Sequence, residues 1–300
     1  MLHVAWSPIY RYSLPEGHRF PMSKYELLPE QLLYEGTLRE ENFFQPEAMP
    51  VDQILLTHTP EYWQKLRDQQ LTTKEIRKIG FPMTPELVTR GRHIAMGTLT
   101  CARLAMRHGV AMNTAGGTHH AFADHGEGFC VFNDFALAAN VLLRENEVRQ
   151  ILVIDLDVHQ GNGTARIFSN DPRVFTFSMH GERNYPVRKE SSDLDVGLPD
   201  GITDKPYLAL LEDHLQRLMD RVQPDLVFYL AGVDVLATDK LGRLGLTREG
   251  CRMRDRMVFS ICQKNQVPVA VSMGGGYSER LADIIEAHAN TFRLAQELYF

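Results

Sequence analysis

The chain has 300 residues, with 38 acidic and 32 basic side chains and a formal net charge of −6. That balance argues against electrostatic affinity for nucleic acid or an anionic membrane surface. With 44% hydrophobic and 23% charged residues, it reads as a soluble globular protein, long enough to bury a large core in one α/β domain over residues 1–300.

The N-terminal Met1-Leu-His-Val-Ala-Trp-Ser-Pro8 lacks the basic region and long apolar stretch of a secretory leader. No apolar run approaches the roughly 20 residues that span a bilayer. The four cysteines, Cys101, Cys130, Cys251 and Cys262, form no C-x-x-C pair and no disulfide-like framework. A reducing cytoplasm is the expected setting.

From Glu16 to about Met83 the pattern is irregular, with several prolines and aromatics, and predicts loops and short helices at one rim. Helices are predicted over Leu87–Arg107, Asp134–Asn146, Lys205–Val222, Thr247–Asn265 and Glu279–Leu298, where apolar residues recur at three- and four-residue spacing. Thr247 and Ser278 are the expected starts of the last two. Strands are predicted over Val110–Thr114, Ile151–Asp157, Val174–Ser178, Leu226–Leu230 and Val267–Met273, each short, apolar and bounded by polar or glycine-rich turns. Continuous apolar strands alternating with helices predict a three-layer α/β architecture, a predominantly parallel sheet with helices on both faces.

The segment Ile151-Leu-Val-Ile-Asp-Leu-Asp-Val-His-Gln-Gly-Asn-Gly163 is the most informative. It is an apolar run that ends by projecting Asp155, Asp157 and His159 before a glycine loop. Side chains two apart on a strand share a face, so these groups are expected to converge at the strand's carboxyl end. Open parallel sheets carry their chemistry at that edge, and two carboxylates with an imidazole suit a divalent metal. Four further segments bring functional groups to the same rim: Gly116-Gly-Thr-His-His120, Gly126-Glu-Gly-Phe-Cys130, Leu230-Ala-Gly-Val-Asp234 and Met273-Gly-Gly-Gly-Tyr277. A lone tandem histidine or a lone glycine turn carries little information. Unrelated turns would not repeatedly deliver His, Asp and Tyr to one edge.

As a set these residues resemble the histone deacetylase superfamily, which shares the arginase–deacetylase fold. The likeness runs from His18-Arg-Phe-Pro21 to Gly274-Gly-Gly-Tyr277. The short length, His18–Pro21, Asp157-Val-His-Gln-Gly-Asn162 and Asp239-Lys-Leu-Gly242 look most like the class IV branch and its bacterial relatives. The resemblance implies a zinc-dependent amidohydrolase that removes acyl groups from acylated lysine. Asp157, His159 and Asp234 match the zinc ligands and leave a coordination position for water and substrate. Gly161 and Gly232 stand where two-manganese relatives need further acids, which implies one metal. The ligand types admit iron or cobalt as well as zinc.

His119 and His120 match the family's paired histidines. Asp155 is the expected partner of His119 and favours its imidazolium, whereas Asn162 is the expected partner of His120. An amide raises a histidine's pKa less than a carboxylate does, so His120 is expected to act as the base. Some family members carry Asp at that position. Tyr277 is expected to donate to the developing oxyanion. Gly128 and Phe129 are expected at the substrate tunnel, with Tyr185 on the opposite wall. A structural potassium or sodium site is implied at Asp155, Asp157, His159, Ser178 and Met179. Cys130 is expected to be a small buried thiol, and His180 a hydrogen-bonded structural histidine. The branch also implies tolerance for acyl chains longer than acetyl, in a cavity that apolar residues before Met83 could line.

The expected partners are therefore an acylated lysine peptide or protein, or else a small acylated amine such as an acetylpolyamine. Relatives of the latter kind carry a long gating insertion that is not evident here. A non-catalytic acyl-lysine binding module would have little need for the complete set of ligands, histidines and Tyr277.

Overall fold

The computed structural model describes all residues from Met1 to Phe300. In chain order its elements are β1 (His3–Ala5), α1 (Lys24–Tyr34), β2 (Phe43–Phe44), α2 (Val51–Ile54), α3 (Pro60–Arg67), α4 (Thr73–Ile79) and α5 (Pro85–His108). There follow β3 (Val110–Asn113), α6 (Asp134–Arg144), β4 (Ile151–Asp155), α7 (Asn162–Phe168), β5 (Val174–Gly181) and β6 (Leu194–Leu198). The chain ends with α8 (Asp204–Val222), β7 (Leu226–Leu230), α9 (Arg248–Lys264), β8 (Val269–Ser272) and α10 (Leu281–Tyr299).

The eight strands form one sheet in the order β2-β1-β3-β8-β7-β4-β5-β6. Every pairing is parallel. Strands β3, β4, β7 and β8 are buried at every position, as a sheet covered on both faces requires. Helix α5 packs on α6 and α6 on α7, while α8 packs on α9, α9 on α10 and α10 on α1. The predicted three-layer α/β architecture is the one observed.

Sequence periodicity located the five long helices to within a few residues. It missed β1, β2 and β6, which are too short or too exposed to read as apolar runs. Within the irregular segment it anticipated short helices but did not resolve α1, α2, α3 and α4 individually. Thr247 caps α9 as expected, its hydroxyl accepting from Gly250 N at 3.0 Å. Ser278 does not cap α10. Its hydroxyl pairs with Thr238 at 2.9 Å, and the helix begins after Arg280.

The register aligns the carboxyl ends of the central strands. Asn113, Ser272, Leu230, Asp155 and Ser178 form one row of neighbours across the sheet. Every loop leaving this row starts from the same edge. Beneath it Arg254 of α9, with its side chain 0% exposed, pairs with Asp255 at 2.8 Å. Its guanidinium also donates to the carbonyls of Leu156 at 3.2 Å and Gly232 at 2.5 Å. One buried cation thus ties together the loops that follow β4 and β7. Arg254→Ala is expected to destabilise the fold by roughly 3–5 kcal/mol, because Asp255 is left as an uncompensated buried charge. Urea denaturation of the variant checks this.

Candidate active site

Strand β4 stops at Asp155, so Asp157 and His159 are not on it. The expectation that strand alternation alone presents all three groups is corrected accordingly. A turn does the work: Asp157 N donates to Asp155 Oδ1 at 3.2 Å, and His159 N donates to Asp157 Oδ1 at 3.0 Å. The glycine segment after it is not an open loop either, since Asn162 begins α7. Val158 N donates to Asp234 Oδ1 at 2.9 Å, and Gly275 N to Asp157 Oδ2 at 2.9 Å. These bonds draw the ends of β4, β7 and β8 together.

Asp157, His159 and Asp234 are buried, and their ligand atoms lie within 4.8 Å of one another. His159 Nδ1 is 3.0 Å from Asp157 Oδ1 and 3.2 Å from Asp234 Oδ2. Asp234 Oδ2 has no hydrogen-bond partner. Burial and the neighbouring Asp157 push the Asp234 carboxyl up to about 7, against the pull of His159. Burial disfavours charge on His159, but its bond to Asp157 and the nearby charge of Asp234 raise it to about 10. The cluster is short of positive charge, and an orphaned buried carboxylate oxygen is what a cation would satisfy. The donor set fits a divalent metal with three protein ligands.

The two glycines read as missing acids have no room for any side chain. A Cβ on Gly161 would collide with the Asp155 carboxylate, and one on Gly232 with that of Asp157.

His119 and His120 are both buried, with ring centroids 4.1 Å apart. His119 Nδ1 lies 2.7 Å from Asp155 Oδ2, and His120 Nδ1 lies 2.7 Å from Asn162 Oδ1. Burial opposes charge on His119, yet Asp155 outweighs it and the pKa is raised. For His120 burial acts together with repulsion from His119 and His159, and the pKa falls well below its ordinary value despite Asn162. Asp134 positions the loop that carries the pair. It accepts from Gly117 N at 3.1 Å and from Thr118 N at 2.7 Å.

Tyr277 is half-buried, its backbone N–H donating to Asp239 at 2.6 Å. Burial and the carboxylates of Asp234 and Asp157 push its hydroxyl well above the ordinary value, so it stays a donor. Gly128 and Phe129 adopt left-handed backbone, with φ of 55° and 67°. At Gly128 a side chain would press on the His120 ring, a Cβ there lying 2.6 Å from Cδ2. Gly128 N and Phe129 N donate to Lys78 and Ile79 carbonyls at 3.0 and 2.7 Å, pinning this turn to the end of α4. Tyr185, 38% exposed, packs edge-on against His120 with centroids 4.9 Å apart. Phe129, Tyr185 and Tyr277 line one vestibule of about 480 Å³, together with Arg19, Arg77 and Lys78.

Deeper in, a cavity of about 40 Å³ is lined by Phe20, Tyr25, Phe81, Arg90 and Ile94 beside His119, His120 and Tyr277. Residues before Met83 do reach it, but their rings fill the space. Cavities that admit a small apolar ring are on the order of 150 Å³, so this space as it stands is smaller than a long acyl chain needs. Ser178 neighbours Asp155 in the sheet register, and its hydroxyl meets His180 Nδ1 at 2.9 Å. Burial lowers His180 to about 4, and Cys130 is buried with its thiol pushed up. Met179 is fully buried on β5.

Three charged residues at this site were given no role from the sequence, although Asp239 and Glu127 lie inside motifs quoted above. Lys24 is fully buried and donates to the Gly274 carbonyl at 3.0 Å. Glu127 is buried and accepts from Asn162 Nδ2 at 2.6 Å. Asp239 holds Tyr277, as described above. A glutamate between two glycines was the available signal for Glu127. For Lys24 there was none, since a lysine in an amphipathic helix usually faces water.

The eight-stranded parallel sheet with its ligand-bearing edge is the arginase–deacetylase type of α/β fold. A family model described as the histone deacetylase domain matches residues 18–292. The chain is 45% identical over 296 residues to an uncharacterized protein of Picosynechococcus, covering 99% of each. It is 31% identical to Histone deacetylase 2 of Arabidopsis thaliana over 89% of this chain and 72% of that one. With Histone deacetylase 1 of Homo sapiens the identity is 27%, over 90% of this chain and 59% of that one. The crystal structure of the HDA15 HD domain shares the fold, with a TM-score of 0.83 at 21% identity over 99% of this chain and 88% of that one. The chain belongs to the histone deacetylase family. That membership implies deacetylase activity on acetylated substrates. No helix is long and apolar enough to cross a membrane.

Adding one divalent cation per chain to chelator-treated protein is expected to raise its melting temperature, since a ligand bound only by the native state stabilises that state. Asp234→Ala should abolish the rise. Calorimetric scans with zinc, cobalt and manganese check this, and an unchanged response in the variant would exclude Asp234 as a ligand.

Proposed function

We propose that residues 1–300 form one catalytic domain, a zinc-dependent deacylase acting on the side-chain amine of acylated lysine. The observation that carries this is the convergence of His119, His120 and Tyr277 on the Asp157, His159 and Asp234 cluster, with unlike partners behind the two imidazoles. A divalent ion at Asp157, His159 and Asp234 would supply Lewis acidity to the acyl carbonyl and the attacking water. Zinc is favoured over iron or cobalt by family resemblance alone. A potassium or sodium ion at Asp155, Asp157, His159, Ser178 and Met179 is part of the proposal on the same ground. So are the class IV branch and a cytoplasmic setting.

His120, kept neutral by burial and by the cationic His119 beside it, takes a proton from water as the oxygen adds to the acyl carbon. Tyr277 donates to the oxygen that gains the negative charge, and His119, paired with Asp155, places positive charge beside it. The C–N bond then breaks, and His120 returns its proton to the departing amine. The products are a carboxylic acid and free lysine. Phe129 and Tyr185 flank the entering side chain, and Gly128 lets the turn approach His120.

The mouth bears on the substrate. Arg19 and Arg77 line the vestibule with no carboxylate among the lining residues, while Lys78 there is paired with Glu127, so a polycationic acetylpolyamine would meet like charge from the two arginines. This favours acyl-lysine in a peptide or protein. The cavity of about 40 Å³ favours a short acyl group, because extra methylenes meet packed rings.

Comparing kcat/KM for acetyl-, octanoyl- and myristoyl-lysine in one peptide, and for acetylspermidine, tests the reading. We expect the acetyl peptide to lead. A higher value for acetylspermidine would overturn the lysine assignment, and a higher value for myristoyl-lysine would overturn the short pocket. Tyr277→Phe is expected to lower kcat by about 100- to 1,000-fold, the range for loss of one oxyanion donor, with little change in KM. Near-normal turnover would remove Tyr277 from the chemistry.

A further inference from the structure

The partner of His120 is an amide, and an amide has two ends. Asn162 can present its oxygen to His120 Nδ1, which must then carry the proton, or its NH₂, in which case Nδ1 must be bare. Only the first arrangement leaves Nε2 as a free acceptor. The choice decides whether His120 can serve as a base, and Asn162 does not make it unaided.

The structure resolves it through Glu127. Asn162 Nδ2 donates to Glu127 Oε1 at 2.6 Å, while Asn162 Oδ1 faces His120 Nδ1 at 2.7 Å. The other Glu127 oxygen pairs with Lys78 of α4 and lies 3.7 Å from His125 Nε2. Glu127 is buried, on the turn that also carries Gly128 and Phe129. Burial works against its ionisation, but His125, Lys78, Asn162 and Tyr185 together hold the carboxyl below the usual range. An ionised carboxylate only accepts. It therefore takes the NH₂ end of Asn162 and turns the oxygen toward His120.

We infer that Glu127 is a positioning residue for the base: acting through Asn162, it fixes the proton of His120 on Nδ1. The carboxylate makes no hydrogen bond to His120 and lines neither the vestibule nor the inner cavity. Where His119 meets its carboxylate directly at Asp155, His120 meets one only through an intervening amide. The negative charge that orients the ring is held one residue away from it. This inference rests on the deacylase reading only in assigning the base role to His120; the orientation itself does not depend on it.

The test uses the metal-loaded protein with ¹⁵N-labelled histidine and measures turnover and the His120 tautomer separately. Wild type is expected to show the Nδ1–H tautomer. Glu127→Ala should mix the tautomers and lower kcat by about 10- to 100-fold, as removal of outer partners of functional histidines does, with KM nearly unchanged. Glu127→Gln, which keeps an acceptor oxygen, should restore most of that loss. The decisive pair exchanges the charges. Asn162→Asp alone sets two carboxylates against each other and should be severely impaired. Asn162→Asp with Glu127→Gln lets the new amide donate to the new carboxylate and should recover about tenfold or more relative to Asn162→Asp alone, within the range of that same outer-partner effect.

A Glu127→Ala protein with unchanged kcat and a retained Nδ1–H tautomer would overturn the inference. So would a double variant no better than Asn162→Asp alone. If wild type turns over no acyl-lysine, the proposed function fails, yet the tautomer in Glu127→Ala still decides the role of Glu127.

Discussion

Two carboxylates and an imidazole are buried within 4.8 Å of one another, and the rest of the edge is arranged around that concentration of charge. Desolvating ionised groups costs several kcal/mol each unless they are paired. Here the backbone meets part of the demand, with Val158, His159 and Gly275 donating to Asp157 and Asp234. It does not meet all of it, because Asp234 Oδ2 is left without a hydrogen bond. The fold builds a place where a cation is worth more than in water, and then holds that place rigidly. Arg254, pinned to the Leu156 and Gly232 carbonyls from below, is part of that rigidity. The collisions that await any side chain at Gly161 or Gly232 are another part.

The parallel register explains why distant segments can share the site. With Asn113, Ser272, Leu230, Asp155 and Ser178 in one row, each following loop starts level with its neighbours. A few polar anchors then set the loops' heights. Asp134 gathers the backbone before the paired histidines, and Asp239 holds the backbone of Tyr277. These carboxylates face backbone N–H groups and not the cavity. They give the site geometry without adding chemistry.

What was legible in the sequence follows from which forces leave a local trace. Burial on both faces makes β3, β4, β7 and β8 continuous apolar runs, and one-sided burial gives the long helices their period, so both could be read. β6, with its first four residues half-buried or exposed, has no such pattern. The segment before Met83 folds by tertiary contact, with Phe20 packed edge-on against Phe81, Phe129 and Tyr277, and no local period marks it. Asp155, Asp157 and His159 were visible because strand-end acids are unusual. That they converge was anticipated, but the reason was not, since a turn and not strand alternation brings Asp157 and His159 around. Lys24 left no local trace, and Glu127 only a glutamate between two glycines, because their roles lie in what they touch, 250 and 35 residues away along the chain.

Two adjacent histidines of the same type acquire opposite character from their partners. Asp155 is a full charge at 2.7 Å from His119, and Asn162 a dipole at 2.7 Å from His120. The raised pKa of one and the lowered pKa of the other follow from that difference, together with burial and mutual repulsion. A cation at the neighbouring ligand cluster disfavours protonation of both rings, so it shifts them in the same direction. The contrast between them survives because it originates behind the rings, on the side away from the cation. An amide in place of a carboxylate behind His120 therefore sharpens the division between an imidazole that holds its proton and one that gives and takes it.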